Sequence, residues 1–284
     1  MANIRLIKGR IKSAKNIAQI TKAMELVAAS RMKKAQAAAL AGKLYADKIY
    51  QMVMELSSRV DISYHPLLKK PNAVRGKRLS IYVTTNKGLC GGLNATSFRY
   101  LNSQYVHTTS VSFVTLGNKG AHFISQQGGS VIADFSDTSP WSNSVPAIIE
   151  LATREYLTGN VDGVDVVYNE FLSPIKQRPV KKTILPLSIE HSGEVEEHIQ
   201  EFLIEPNAKE VFDGLLPHYL ENQLRDAIVQ SEASEHSARM MAMRNATDNA
   251  LSLVDDLTLL FNKARQEKIT YEIGDMVTAR LALE

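Results

Sequence analysis

Cysteine is almost missing from this chain: Cys90 is the only one in 284 residues. That excludes an internal disulfide framework and fits a reducing compartment. Proline is absent before Pro66 and after Pro217, so both ends are free of the residue that most strongly stops helices. No apolar run approaches the roughly eighteen residues that a membrane-spanning helix needs. No short apolar segment with a small-residue cleavage site opens the chain either, so no secretory signal is expected. Motifs of common chemistry are missing too. Leu93-Asn94 follow the glycines where a P-loop needs lysine and then serine or threonine. The GxGxxG dinucleotide pattern is absent, as is the GxSxG elbow. The seven histidines (His65, His107, His122, His191, His198, His218, His236) form no HExxH pair, and with one cysteine no zinc site is expected. No constellation for catalysis is left, and neither metal nor cofactor is expected.

What is present is unevenly placed. Net charge is +3, yet residues 1–43 hold ten Lys or Arg against the single acid Glu25. This basic stretch implies an acidic partner surface. It interleaves few aromatics and surrounds a continuous apolar stripe, so neither nucleic-acid binding nor attachment to a membrane surface is favoured.

Two stretches carry helical periodicity over many turns. From Ala208 to Glu284 apolar residues recur in steps of three and four: Leu220, Leu224, Ile228, then Met240, Met243, then Leu253, Leu257, Leu260, Ala264, then Ile269, Ile273, Met276. One helix of this span is on the order of 100 Å long, so it is expected to project from a domain of this mass. From Asn3 to about Ser58 a second long helix is predicted. Its apolar positions run Ile4, Ile7, Ile11, Ala14, then Ile17, Ile20, Met24, Val27. The change of phase after Ala14 would overwind a coiled coil locally. Alanines 28, 29, 35 and 37–39 either let helix axes approach closely or supply helix propensity. Antiparallel pairing would bury both stripes.

Between them the period changes. His65-Pro66 and Lys70-Pro71 break the helix. Strands are predicted near 79–84, 111–116, 131–133, 164–168 and 182–187, with helices near 93–105, 121–127 and 146–157. Such alternation implies a mainly parallel sheet. Gly193 to Asn207 reads as an acidic connector. The fold class is therefore α/β: a long antiparallel coiled coil of the N- and C-terminal helices plus a central Rossmann-like α/β domain. The divisions are 1–58, 78–192 and 208–284.

The glycine-rich stretch Gly88-Leu89-Cys90-Gly91-Gly92-Leu93-Asn94 lies between a strand and a helix. It is either a tight turn or, less specifically, a phosphate cradle at a helix N-terminus. The latter would make this a nucleotide-binding α/β protein with a coiled-coil arm. Cys90 reads as a packed thiol rather than a nucleophile. The acids Glu232, Glu235, Asp248, Asp255 and Asp256 read as a solvated or partner-facing side.

Three motifs, in order along the whole chain, resemble one family. Ile20-Thr21-Lys22-Ala23-Met24-Glu25-Leu26-Val27-Ala28-Ala29-Ser30 is similar to the N-terminal helix motif of the gamma subunit of F-type ATP synthase. Gly88 to Asn94 resembles that family's glycine motif. Met241-Ala242-Met243-Arg244-Asn245-Ala246-Thr247-Asp248-Asn249-Ala250, then Asn262-Lys263-Ala264-Arg265-Gln266 and Tyr271-Glu272, resemble its C-terminal helix. Asn86 stands where the family often has aspartate, and Thr278-Ala279 where it usually has glycine-alanine. The resemblance implies a non-catalytic central rotor shaft that couples ion-driven rotation to ATP synthesis or hydrolysis on beta subunits. Alpha, beta and epsilon subunits and the membrane c-ring are the implied partners. The implied location is peripheral, on the cytoplasmic face of a bacterial plasma (inner) membrane; the lack of a transit peptide favours a bacterial over an organellar enzyme. Met24, Arg265, Gln266, Thr270 and Glu272 would meet the beta subunit, with Arg239 and Arg244 as further candidates. Ile269, Ile273, Met276, Val277 and Leu281 would form the bearing at the shaft tip. Gly88, Gly91 and Gly92 would then be a structural turn.

Overall fold

A computed structural model describes residues 4–57, 60, 65–68, 76–105, 110–138, 140–187 and 204–281. Helix α1 (Ile4–Ser57) opens the chain and α5 (Ala208–Leu281) closes it. Between them run β1 (Lys77–Val83), α2 (Leu93–Gln104), β2 (Ser110–Leu116), α3 (Asn118–Gln126), β3 (Ser130–Asp134), α4 (Val145–Leu157), β4 (Gly163–Phe171) and β5 (Gln177–Leu185). Most of the stretch read as an acidic connector lies outside the described residues. By compactness the chain divides into Ser30–Ala238 and a second unit that joins Met1–Ala29 to Arg239–Glu284.

In Ser30–Ala238 the strands form one sheet in the order β3-β2-β1-β4-β5. The pairs β1–β2, β2–β3 and β1–β4 are parallel. Helix-bearing crossovers make this possible, since parallel strands cannot be joined by a tight turn. The last pair, β4–β5, is an antiparallel hairpin. Its second strand starts at Gln177, five residues before the strand read from the sequence at 182. The alternation of charged and apolar residues there hides an edge strand, and Pro179 within it is tolerated because β5 is an edge. Pro179 sits opposite Asn169 and has no N–H to give. The Asn169 carbonyl instead accepts a hydrogen bond from the Ser234 hydroxyl of α5 at 2.9 Å.

Strand alternation sorts the core. Leu79, Ile81, Val83, Val164 and Val166 point to the face covered by α4 and by the long helices, whose Val53, Leu56, Phe212, Leu216, Leu220, Leu224 and Ile228 are buried against them. Tyr82 and Val167 point to the other face, with Leu101, Phe113 and Ile124. Both faces of β1 are thus covered, which is why its sequence reads as a nearly unbroken apolar run. Leu216, Leu220 and Leu224 are fully buried, each worth about 1.5–3 kcal/mol of transfer free energy. Together these outweigh Pro217 inside α5, which removes one backbone bond and strains a turn.

A buried ion pair ties three strands at the opposite end of the sheet. The Arg78 guanidinium grips the Asp165 carboxylate through both Nε, at 2.6 Å, and Nη2. The Thr183 hydroxyl donates to Asp165 Oδ1 at 2.7 Å, and the Tyr105 hydroxyl to Oδ2 at 3.2 Å. Gly163 beside it is required: an added Cβ would lie 2.8 Å from Arg78 Nη1 and 2.9 Å from the Leu185 carbonyl.

On α1 most buried and half-buried positions fall at 4, 7, 11, 14, 18, 21, 25, 28, 32, 35, 39, 46, 49, 53 and 56, with 24, 29, 36, 54, 55 and 57 beside them. This is a heptad seam, interrupted at the exposed Gly42. The phase change expected after Ala14 does not occur. Ala18 and Thr21 carry the seam on, while Ile17, Ile20 and Val27 are more than half exposed. Alanines 28 and 35 lie on the seam, while Ala37 and Ala38 are exposed and serve helix propensity.

Within Ser30–Ala238, Tyr50 of α1 lies 6.4 Å, ring to ring, from Tyr219 of α5. Within the other unit, Thr21 meets Thr247 at 2.7 Å. There the α5 seam runs through 240, 243, 247, 250, 254, 257, 261 and 264. Leu253 and Leu260, read from the sequence as seam residues, are half exposed; Val254 and Phe261 take their places. An antiparallel alignment about Thr21 and Thr247 sets Ile4 opposite Ala264. Among the described residues Ala264 is the last buried one of α5, so the seam stops level with the start of the described part of α1.

Candidate functional site

Beyond Ala264 nothing described covers α5: residues 265–280 are exposed on every side. Four of the five residues expected to meet a partner lie here, namely Arg265, Gln266, Thr270 and Glu272. So do Ile269, Ile273, Met276 and Val277, each between 46% and 67% exposed. Leu281 is the last residue of α5; the reading of its side chain as a bearing lies outside the described residues.

Helix geometry decides which of these share a face. At 3.6 residues per turn, Arg265, Ile269, Glu272, Ile273 and Met276 span an arc of about 100°. Gln266, Thr270 and Val277 extend that arc to roughly 160°. The seam's own continuation falls on Lys268, Tyr271, Asp275 and Thr278, all polar or polar-tipped. Past its partner, then, the helix turns its apolar side away from the line of the seam. The result is a half-cylinder that carries Ile269, Ile273, Met276 and Val277 interleaved with Gln266 and Arg280 and flanked by Arg265, Glu272 and Thr270, backed by a polar face suited to water. Glu272 pairs with Lys268 at 3.3 Å, both side chains more than half exposed. Such a pair is worth a few tenths of a kcal/mol, so a partner can replace it at little cost. Gln266 and Thr270 line a shallow open depression with Lys263, Tyr271, Gly274 and Thr278. The Thr278 hydroxyl donates to the Gly274 and Asp275 carbonyls, so the threonine found in place of glycine satisfies itself within the helix.

Met24 is elsewhere, on α1, half buried on the flank of the seam between Thr21 and Ala28. Beside it Lys22 pairs with Glu25 at 2.9 Å. Along the same unit Ile17, Ile20, Leu26 and Val27 of α1, and Leu251, Leu253, Leu259 and Leu260 of α5, are about half exposed or more. Exposed apolar side chains at this density mark an interaction surface. Arg239 is half buried and Arg244 exposed. The structure therefore sorts the candidates into two places, the Met24 flank and the uncovered end.

The glycine stretch is a turn whose side chains are used inward. Cys90 and Leu93 are buried. The Asn94 amide donates to Thr85 Oγ1 at 2.8 Å and to Cys90 Sγ at 3.4 Å, binding the start of α2 to the end of β1. Gly91 has φ of 60°, which favours glycine, and Leu89 holds the same left-handed conformation at a steric cost while 61% exposed. At Gly88 and Gly92 an added Cβ would meet nothing within 4 Å, so packing does not require glycine there. Asn86 explains its own departure from aspartate. Its Oδ1 accepts from the Asn118 N–H at 2.9 Å while its Nδ2 donates to the Ser136 carbonyl at 3.0 Å. A carboxylate could not make the second bond.

Burial, aided by Glu235, raises the Glu232 carboxyl above its ordinary range. Of the acids read as a solvated or partner-facing side, Glu232 and Glu235 are half buried, whereas Asp248, Asp255 and Asp256 are exposed. Burial also raises the Tyr82 and Tyr105 hydroxyls. Among the described residues no three His, Cys, Asp or Glu side chains are grouped to hold a metal, and no helix is long and apolar enough to cross a membrane.

Sequence reasoning missed the Thr21–Thr247 pair and the role of Ala18. Counts of sevens from Ile4 and from Ile7 pass through Ala18 and Thr21 respectively, but the larger Ile17 and Ile20 drew the stripe off its line.

Comparison with known proteins agrees with this geometry. The ATP synthase family model matches residues 3–283. The ATP synthase gamma chain of Opitutus terrae is 41% identical over 99% of both chains. That of Herpetosiphon aurantiacus is 42% identical over 100% of this chain and 99% of its own. Among solved structures, a chain of the Euglena gracilis mitochondrial ATP synthase (OSCP/F1/c-ring, rotational state 3) matches 99% of this chain and 94% of its own, with a TM-score of 0.66 at 19% identity. A chain of the Tetrahymena thermophila mitochondrial ATP synthase central stalk and c-ring covers 80% of this chain, with a TM-score of 0.60 at 22% identity. At such identities these two speak for the fold alone. With a family model over nearly the whole length and relatives above 40% identity end to end, this chain belongs to the ATP synthase gamma-chain family.

Proposed function

We propose that this chain is the central-stalk rotor subunit of an F-type ATP synthase, itself without catalytic sites. The single observation that carries the reading is the α5 segment past Ala264, an uncovered helix whose large exposed aliphatic residues lie on one half, among polar ones, with a polar half behind. A lone helix of this kind is stable only when something surrounds it. A ring of alpha and beta subunits would supply that sleeve. Ile269, Ile273, Met276, Val277 and Leu281 would turn against its apolar wall. Arg265, Gln266, Thr270 and Glu272 would make and break polar contacts with successive beta subunits, and Met24 would do so lower on the shaft.

Such a rotor couples by differential contact. Each orientation must favour a different conformation of each beta subunit, since a contact equal in all orientations shifts no equilibrium. The half-cylinder meets this need because its apolar and polar sides differ. The basic α1 start suits acidic loops on the ring. In the same reading epsilon and the c-ring bind the sheet-bearing unit, protons are the driving ion, and the complex sits on the cytoplasmic face of a bacterial inner membrane.

The test is co-purification from native membranes with a tag on this chain, assaying ATP hydrolysis in the eluate. Stoichiometric alpha and beta subunits with ATPase activity are expected. Recovery of the chain alone would overturn the reading.

A further inference from the structure

In the unit formed by Met1–Ala29 and Arg239–Glu284 the seam carries Ile4, Ile7, Ile11, Leu257 and Phe261 toward one end, and mainly small side chains on α1 from Ala14 to Ala28. Ala14, Ala18 and Ala28 face a line of Met243, Ala250, Val254 and Ala264, all buried. Small knobs bring helix axes close, but they distinguish poorly between registers that differ by a heptad. In the middle of this seam the Thr21 and Thr247 hydroxyls meet at 2.7 Å.

We infer that the Thr21–Thr247 pair is a register pin, which holds the two helices of this unit against sliding and so fixes how much of α5 extends past its partner. The inference goes beyond the rotor reading and does not depend on it. Proton bookkeeping supports it. Each hydroxyl has one proton. Thr21 Oγ1 lies 3.0 Å from the Ile17 carbonyl, and Thr247 Oγ1 lies 2.9 Å from the Met243 carbonyl. One hydroxyl gives its proton to its own helix and accepts the other's proton across the seam. Both are then satisfied at once, and neither is stranded in an apolar interface. A slide of one heptad would set Thr21 against Val254 or Met240, and the cross-seam bond would have no acceptor. It would also change the uncovered length of α5 by about 10 Å, moving Arg265 and Ile269 relative to anything that surrounds them.

The experiment is a double-mutant cycle on the full chain with Thr21→Val, Thr247→Val and both, valine keeping the shape. The readout is hydrogen exchange of the amides of 240–264. Loss of one net hydrogen bond should lower protection about 2- to 12-fold in each single variant. If the two hydroxyls act as a pair, the double variant should lose little more than either single. Equal and additive losses would mean that each threonine serves only its own helix, and would overturn the inference. Register is read separately by oxidative cross-linking. Ala14→Cys with Val254→Cys reports the native register, and Ala14→Cys with Phe261→Cys a register one heptad out. The out-of-register cross-link should increase several-fold when both threonines are valine and return to its low level with Thr21→Ser and Thr247→Ser. An unchanged ratio would equally overturn it.

Discussion

Arg78→Met should be among the most damaging single changes available in the sheet-bearing unit. Asp165 is fully buried, and among the described residues Arg78 is its cationic partner, gripping it through two nitrogens. Methionine fills much of the same volume but leaves the carboxylate with only the Thr183 and Tyr105 hydroxyls. Removing one member of a buried pair costs about 3–5 kcal/mol, because the remaining charge is stranded away from water. For a cooperative unit of this size each kcal/mol lowers the melting temperature by about 2–4 °C, so a fall of roughly 6–20 °C is expected. The assay is thermal unfolding of the purified full chain, followed by circular dichroism. Arg78→Met combined with Asp165→Leu should recover most of the loss, though not all, since two hydroxyls then lack their acceptor. A cost below about 1 kcal/mol for Arg78→Met alone would refute the argument, because it would mean that the carboxylate does not depend on the guanidinium.

Two further outcomes can be checked. Met24→Lys puts a charge on the half-buried flank of the seam, where a long side chain can still carry its ammonium to water; it should leave melting nearly unchanged and lower the ratio of protons pumped to ATP hydrolysed in the assembled complex, and a normal ratio would dismiss Met24 as a contact. His65 Nδ1 accepts from the Leu67 N–H at 3.2 Å while Nε2 faces Asp213 at 3.4 Å, so the neutral ring uses both nitrogens. Burial lowers the His65 pKa against the opposing pull of Asp213. Below about pH 6.5 the unfolded chain therefore binds the extra proton more readily than the folded one, and stability should fall as pH drops through that range. His65→Gln should flatten that slope in urea titrations between pH 7.5 and about 5.5.

Much of this protein could be read from its residues because its long elements repeat. Proline-free ends with apolar steps of three and four can only be long helices, and β-branched runs parted by glycine turns can only be short strands in crossovers. The glycine motif and the two helix motifs, in order, were enough to indicate the family. Finer placement failed where two patterns compete. Ile17 and Ile20 look more hydrophobic than Ala18 and Thr21, yet the small residues form the seam because only they let the two helices approach. Likewise Leu253 and Leu260 gave way to Val254 and Phe261, one position on. The edge strand β5 was read too short because its exposed alternate residues are charged.

By itself the sequence determined the elements, their order and the polarity of the two ends, because propensity and periodicity are local properties of a chain. Only the tertiary structure decided three other things: the antiparallel register pinned at Thr21 and Thr247, the point at Ala264 where cover ends, and which side of α5 beyond it is apolar. Each depends on where a second helix lies, and a side chain's own helix carries no record of its neighbour.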